Sequence, residues 1–392
     1  MTDTYVPHQQ QREDKQAKVF FEGTHRVRTP EQTWAMLTPL FARYGVTRIA
    51  DVTGLDTLGI SVAMAVRPLA RLLVVSQGKG QTPLLASISG AMECIELWHA
   101  ENNHPPLVHA ATSARDLDLP YRISQLGPEP GALATDATPM DWVSTVGMIS
   151  GATVPVPAAV VTLPPDRLPW SPLGLRWTSN GLASGNSYEE ACLHALYEVI
   201  ERDALTLRAS AGPVDHIDPS SITDPVCAPL IAKIQAAGVT LTVTRLTSRF
   251  DVPCFGATVW GPDFPLVCIG WGAHLDAGVA LSRAVTEAVQ TRLTAIAGSR
   301  DDLPSAYLQV RLNTEEPAPP EGPVTRWEEL DAVGPGSFTD LAEELVWVCG
   351  RVAQVTGVEP LCCDLSTVAE FAVVKVVAPG MVFDFDLLHT SH

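Results

Sequence analysis

Six glutamates recur at helical spacing where an ordinary packed helix would carry small or aliphatic residues. In SISGAMECIELWHA, Ser89, Glu93 and Glu96 sit among Ile88, Ala91, Met92, Cys94, Ile95, Leu97 and Trp98. At about 100° per residue, the three polar residues fall within an arc of about 60°. SYEEACLHALYEVIERDA repeats the pattern, with Glu190, His194, Glu198 and Glu201 inside an arc of about 80°. In LSRAVTEAVQTRL, Arg283, Glu287 and Gln290 lie within about 60° of one another. A surface helix shows a broad polar face, whereas each of these shows a narrow polar stripe in an apolar cylinder.

If the stripes converge, Glu93, Glu96, Glu190, Glu198, Glu201 and Glu287 share a site with Arg202 and Arg283. An unpaired buried carboxylate costs several kcal/mol against a total stability of about 5–15 kcal/mol, so the excess acid needs bound cations or must stay wet. Numerous hard oxygen ligands suit Mg²⁺, which bridges carboxylates and phosphates, and arginines beside them clamp phosphate oxygens. A single ExxE on a helix is usually a solvated face, and His194 taken alone reads as a packed histidine. Three narrow stripes together favour a shared nucleotide–Mg²⁺ site.

Other motifs fail on their spacing. Ser76-Gln77-Gly78-Lys79-Gly80 offers a lysine, but Gly80 stands where a Walker loop needs Ser or Thr. His194-x-x-x-Glu198 is not the HExxH of zinc peptidases, and no GxSxG elbow occurs. The turn Asn180–Asn186 is either a plain helix entry or a phosphate-holding one.

The elements that must position these residues alternate between helix and strand along 392 residues, 46% of them hydrophobic. Residues 1–17 are expected to be a flexible tail. TPEQTWAMLTPLFARYG predicts a helix opened by Thr29-Pro30 and stopped by Gly45. Strands are expected at Val46–Val52, Ile60–Val66 and Leu72–Ser76, the last ending in the Gln77–Gly80 turn. Long helices follow at about 82–102 and 187–209. Between them, residues 104–175 are Pro-rich with a strand at Ala158–Leu163. A helix, three strands and a helix are expected over 228–300, the last helix at about 277–297. A Pro/Glu-rich loop, a helix at 339–356 and strands at Leu361–Asp364 and Phe371–Val377 close the chain. This pattern predicts an α/β (mixed α+β) fold, one compact unit built on a central sheet.

The net charge of −18 disfavours nucleic acid and anionic membrane as partners. No apolar run of membrane-spanning length exists and the N-terminal segment lacks a signal's apolar core, so a cytoplasmic location is expected. Eight cysteines show no CxxC pair and read as reduced and structural, Cys94 and Cys192 as small apolar helix residues. Adjacent Cys362 and Cys363 are either a reactive pair or, on the reading favoured here, strand residues facing opposite sides.

Thr178–Asn186 (TSNGLASGN), followed by Glu190, Glu198 and Glu201-Arg202, resembles the signature of the YcaO-domain family. Ser89-x-x-x-Glu93-x-x-Glu96 and Arg283-x-x-x-Glu287-x-x-Gln290 resemble that family's other two nucleotide-site motifs, in the same order. Gly23–Arg26 (GTHR) and Asp51–Asp56 (DVTGLD) resemble the branch associated with TfuA-like proteins. The resemblance implies a YcaO-like fold over residues 18–392, divided as 18–110, 111–311, a Pro-rich loop at 312–336, and 337–392. It implies Glu93, Glu96, Glu190 and Glu201 as Mg²⁺ ligands. ATP contacts would come from Ser89, Asn186, Glu198, Arg202, Arg283, Glu287 and Gln290, with Arg26 and Thr33 as N-terminal contacts. One departure stands out: Leu97 follows Glu96 where many members have arginine. No catalytic residue is assigned.

The implied chemistry is ATP- and Mg²⁺-dependent activation of a peptide backbone amide. A nucleophile adds to the amide carbon, the amide oxygen takes the γ-phosphate, and phosphate then leaves. Sulfide gives a thioamide, a Cys, Ser or Thr side chain an azoline, and an amine an amidine. Azoline-forming members often end in a Pro-rich tail; this chain ends FDFDLLHTSH, with no proline after Pro379 and no separate leader-binding domain. Together with the TfuA-branch motifs, these features favour thioamidation in ribosomal-peptide maturation, with a TfuA-like partner and a sulfur donor; the family resemblance alone implies a homodimer. A cyclodehydratase and a non-catalytic nucleotide-binding scaffold stay as alternatives.

Overall fold

The computed structural model describes residues 15–128, 132–163, 174–175, 178–208, 215–299, 316–318, 322, 324–331, 333–336 and 338–384. In chain order the elements are α1 (Pro30–Leu37), β1 (Arg48–Asp51), β2 (Val62–Val66), β3 (Val75–Lys79) and α2 (Pro83–Asn102). There follow β4 (Leu107–Thr112), β5 (Met140–Gly147), β6 (Thr153–Pro157), α3 (Ala158–Val161), β7 (Leu182–Gly185) and α4 (Tyr188–Arg208). Next come β8 (Asp215–Ile217), α5 (Cys227–Ala236), β9 (Thr240–Leu246), β10 (Cys254–Gly261), β11 (Phe264–Ala273) and α6 (Ala277–Ala297). The chain closes with β12 (Val324–Thr325), α7 (Leu341–Thr356), β13 (Leu361–Asp364) and β14 (Ala372–Val377). The mixed α/β class expected from the sequence is the class observed.

The expected single unit on one central sheet is instead two units and three sheets. Of the described residues, the first unit takes those within Met1–Lys18, Glu96–Thr206 and Phe338–Phe385, and the second those within Val19–Ile95 and Leu207–Ser337. The cause is strand pairing. Among the described residues, strands β1 to β3 pair only among themselves, as do β11-β10-β9-β8-β12, while β4-β5-β13-β14-β7 with β6 form the third sheet.

In the second unit, Thr29 caps α1 through a reciprocal pair with Gln32. The helix stops at Leu37, short of the expected Gly45, because Thr38-Pro39 opens a tighter turn in which proline has no N–H to give. Strand β3 runs through Lys79, so Gln77–Lys79 is strand rather than the expected turn. The branch-like DVTGLD run has a local explanation here. Asp51 accepts the Thr53 N–H at 2.9 Å, and Asp56 accepts from the fully buried Arg292 at 3.0 Å. Asp263 accepts from the same guanidinium at 2.8 Å.

Each stripe-bearing helix is seated on a strand glycine. A Cβ on Gly78 of β3 would lie 2.0 Å from the Gly90 amide nitrogen of α2. In the first unit, a Cβ on Gly185 of β7 would lie 2.4 Å from the Ala191 nitrogen of α4. Gly270 and Gly272, two apart on β11 and so on one face, would meet Ala284 O at 2.3 Å and Ala280 O at 2.0 Å on α6. These contacts are to helix backbone, which cannot swing aside. Gly272→Ala is therefore expected to destabilise by about 1–3 kcal/mol or more as α6 is pushed off its sheet. A drop in urea midpoint of that size checks it; an unchanged midpoint would show that α6 can shift freely.

In the first unit, α4 lies on the six-stranded sheet, with Cys192 Sγ 3.7 Å from Cys362 Sγ of β13. All eight cysteines are buried, as small core residues. Residues Ala158–Val161 form a short helix in place of the expected strand. Strands β4, β5 and β6 occupy the Pro-rich stretch, which has no long helix among the described residues, as its lack of helical period implied. Of the tail expected over 1–17, residues 15–17 are described, and Gln16 N–H bonds Asp340 Oδ2 at 2.6 Å. Asp340 also caps α7 through the Ala342 and Glu343 amides.

Candidate functional site

On α4, Glu190 and Glu201 are buried, at 3% and 5% exposure. Between and beyond them His194, Glu198, Arg202 and Thr206 are half-buried at every fourth position, while most of the intervening residues are buried. Four-residue spacing keeps side chains on one helix face, so α4 shows a single narrow polar line. Arg202 Nε lies 3.6 Å from Glu201 Oε1.

Strand β7 ties two of the expected acids together in the first unit. Ser184 donates its N–H to Glu96 Oε1 at 2.9 Å, and its hydroxyl bonds the same oxygen. Two residues on, Asn186 donates its N–H at 3.1 Å and its side-chain amide at 2.9 Å to Glu190 Oε1. One short stretch of main chain thus holds a carboxylate from α2 and another from α4. The TSNGLASGN run earns its polarity by fixing these acids, and Asn186 is itself 8% exposed. Ser184 carries no periodic signal and was not among the expected site residues.

A second first-unit feature was also not foreseen. Lys375 of β14 is 3% exposed and donates through Nζ to Thr178 O and Asn180 O, each at 2.6 Å. Burial pushes the Lys375 ammonium down to about 8, with the charge of Glu198 opposing the shift. An unfolded lysine titrates near 10.5. Between these values the unfolded chain holds the extra proton, so stability rises with pH across this window. Lys375→Met is expected to flatten that rise. Urea midpoints of both proteins at pH values from 7.5 to 10.5 (about three units, spanning the window) check it.

In the second unit, α2 shows Ser89 and Glu93 half-buried between buried Ala86, Gly90, Ala91, Met92, Cys94 and Ile95. Helix α6 shows Arg283, Glu287 and Gln290 half-buried between buried Ser282, Ala284, Val285, Thr286, Ala288 and Val289. Lys79 Nζ pairs with Glu287, the two side chains being 18% and 25% exposed. The lysine of the failed phosphate-loop motif therefore has a carboxylate partner, which partly balances Glu287. Arg26 is half-buried and donates to His25 O at 3.2 Å, His25 being packed edge-on against His274 at 4.9 Å. Thr33 is 5% exposed and its hydroxyl returns to Thr29 O at 3.2 Å within α1.

The expected residues thus form two groups within their own units: Glu96, Asn186, Glu190, Glu198, Glu201 and Arg202 in the first, and Arg26, Thr33, Ser89, Glu93, Arg283, Glu287 and Gln290 in the second. Helix α2 passes from one unit to the other between Glu93 and Glu96. Among the described residues no group of three His, Cys, Asp or Glu side chains is arranged as a ready metal cage.

A family model described as YcaO cyclodehydratase, ATP- and Mg²⁺-binding, matches residues 77–382. The chain belongs to the YcaO family. ATP and Mg²⁺ are the cofactors that describe this family. The uncharacterized protein Rv1375 of Mycobacterium tuberculosis is 37% identical over 378 residues, 92% of this chain and 83% of that protein. A protein of the tfuA 3′ region in Rhizobium leguminosarum bv. trifolii is 38% identical over 295 residues, 71% of this chain and 69% of that one.

Among solved structures, the YcaO protein from Methanopyrus kandleri bound with AMPPCP and Mg²⁺ superposes with a TM-score of 0.71 at 24% identity. The match covers 93% of this chain and 94% of that one. A heterocyclase in complex with substrate and cofactor gives a TM-score of 0.72 at 22% identity, over 94% of this chain but 54% of that chain. These likenesses establish the fold as YcaO-like. Among the described residues no helix is long and apolar enough to cross a membrane.

Proposed function

We propose that this YcaO chain uses ATP and Mg²⁺ to activate a peptide backbone amide by O-phosphorylation, giving a thioamide with a TfuA-like partner. The observation that carries the reading is the pair of acids gripped by β7. Glu96 and Glu190 reach the same strand end from different helices, held by main-chain and side-chain N–H groups of Ser184 and Asn186. Carboxylates fixed this way suit a hard cation better than solvent-exposed acids would.

In this reading Glu93, Glu96, Glu190 and Glu201 hold Mg²⁺, and Asn186, Arg202, Arg283 and Ser89 contact phosphates or ribose. Glu198, Glu287 and Gln290 border the nucleotide, and Arg26 and Thr33 lie at its N-terminal side. Bound Mg²⁺ neutralises charge on the transferring phosphoryl group. The carboxylates orient it, the arginines draw phosphate oxygens into line, and Lys79 keeps Glu287 from adding uncompensated charge. The phosphorylated amide oxygen becomes a leaving group once the nucleophile has added. The tfuA-region relative supports the sulfur branch.

The family's cyclodehydratase description supports a second reading, azoline formation. Mass spectrometry separates the two after co-expression with precursor peptides encoded beside the gene, with and without a TfuA-like protein. Exchange of oxygen for sulfur that needs the partner supports thioamidation. Loss of water without it supports the cyclodehydratase. A peptide that is unmodified in both arms although ATP binds points to a nucleotide-binding scaffold.

A further inference from the structure

A lysine is out of place in the middle of β14. Val373, Val374 and Val376 around it are at most 1% exposed, and Lys375 itself is buried. The strand lies between β13 and β7, with Lys375 opposite Cys363 on one and Leu182 on the other. An apolar side chain would suit that setting, since exchanging buried charged groups for well-packed hydrophobes is often neutral or stabilising. Packing alone therefore does not explain the lysine.

What Lys375 holds is the turn that leads into β7. Its ammonium donates to Thr178 O and Asn180 O, each at 2.6 Å. Beside it, the Val376 N–H bonds Gly181 O at 2.8 Å, and the Leu182 N–H closes the turn on Ser179 O at 2.7 Å. Gly181 has φ 79°, and a Cβ there would lie 2.4 Å from Val376 O, so the turn is pressed against β14. The carbonyls of Thr178, Asn180 and Gly181 thus all accept from adjacent residues of one strand.

Strand β7 needs such an anchor. It is 4 residues long, stands at the end of its sheet and, among the described residues, pairs with β14 alone. A slip of one residue would turn the Ser184 and Asn186 side chains to the opposite face. Glu96 and Glu190 would then lose donors that fix them. The negative charge of Glu198 also acts on the ammonium, so Lys375 offsets a third acid of the expected set.

We propose that Lys375 is a positioning residue for the nucleotide site: by pinning the turn it sets the register of β7, and so the place where Ser184 and Asn186 hold Glu96 and Glu190. The inference rests on the reading of these acids as Mg²⁺ ligands.

The test compares wild type, Lys375→Met and Lys375→Arg as full chains. A cavity of about 90 Å³, lined by Lys375 and Asn180, leaves room for the larger guanidinium, which keeps donors for both carbonyls. The urea midpoint of Lys375→Met is expected to move little, because relief of the lysine's desolvation offsets two carbonyls losing their donor. Hydrogen–deuterium exchange without nucleotide, read by mass spectrometry, is expected to quicken over residues 180–186 in Lys375→Met and to stay near wild type in Lys375→Arg. Calorimetric titration of ATP at fixed Mg²⁺ should show Kd raised about tenfold or more for Lys375→Met, as for groups that orient metal ligands, with added Mg²⁺ restoring part of it. Lys375→Arg should recover most of the affinity at the original Mg²⁺ concentration. If Lys375→Met does not fold, Lys375→Gln, which keeps one amide to donate, carries the same expectations.

Exchange and affinity both as in wild type for a folded variant overturn the proposal. Weakened binding without faster exchange also overturns it, since Lys375 would then act through its charge alone. Faster exchange with undiminished affinity overturns it as well, because the turn would not govern the acids. No ATP binding by folded wild type removes the Mg²⁺–nucleotide reading and this role with it, and the exchange result alone then decides whether Lys375 sets β7.

Discussion

Glu201→Gln is expected to abolish Mg²⁺-dependent ATP binding while leaving the fold intact. Glu201 is 5% exposed on α4, close to Arg202 Nε at 3.6 Å. Glutamine keeps its shape and one acceptor oxygen but loses the negative charge that a hard cation needs. Changes to groups that merely orient metal ligands cost about 10–100-fold in affinity, so loss of a ligand should cost at least about 100-fold. Two measurements check it together. Calorimetric titration of ATP with and without Mg²⁺ should show binding only for wild type with metal. Thermal unfolding should show ligand-dependent stabilisation of wild type, about 2.7 kcal/mol at one hundred times Kd, and none for the variant. Without ligand the variant should still unfold in a cooperative transition, which checks that it is folded. Equal binding by both proteins would take Glu201 out of the metal site. No binding by folded wild type would defeat the proposed nucleotide site as a whole.

The helices were readable in the sequence because their signals are local. Asp276 caps α6 through the Val279 amide, Gly298 ends it at φ 57°, and the apolar period fills the interval. The stripes were readable for the same reason: Glu198 and Arg202 stay half-buried between buried neighbours, as the spacing implied. The sheets were less readable. Strand β4 is almost wholly exposed and so lacks an apolar alternation, and β6 contains Pro155 and Pro157, which argue against a strand unless it pairs on one side only. What no periodicity could reveal is pairing across the sequence. Lys79 meets Glu287 from 208 positions away, and Ser184 meets Glu96 from 88. Neither partner is encoded in the other's neighbourhood. The DVTGLD run shows the converse: Asp56 is largely accounted for by buried Arg292, so its presence speaks first of α6 packing.

Breaking the buried pair between Lys18 and Glu344 is expected to cost about 3–5 kcal/mol. Both side chains are 0% exposed, and Lys18 Nζ lies 2.5 Å from Glu344 Oε2. Glu344, on α7, also accepts the Tyr197 hydroxyl at 2.5 Å. Tyr197 precedes Glu198 on α4, so this cluster ties an N-terminal residue to the helix that carries the first unit's acids. Lys18→Met leaves a carboxylate buried with its main cation gone, and the full penalty appears. Replacing the charges together, as Lys18→Met with Glu344→Leu, should recover most of it, because an apolar pair avoids the desolvation cost. Tyr197 then loses its bond to Glu344, and adding Tyr197→Phe measures what that hydroxyl contributes, on the order of 1–3 kcal/mol. Two compact units do not guarantee a single unfolding step, so the comparison is best made on urea midpoints followed by tryptophan fluorescence and circular dichroism. Limited proteolysis supplies the structural readout: Lys18→Met should be cut sooner near residues 15–18, where Gln16 and Ala17 pair with Asp340. A single variant as stable as wild type would mean the pair is not closed off from water. A double variant no better than the single would mean that residual strain, not the stranded charge, sets the loss. Recovery in the double variant would make the N-terminal strap a structural support for α4 that can be altered without touching the acids themselves.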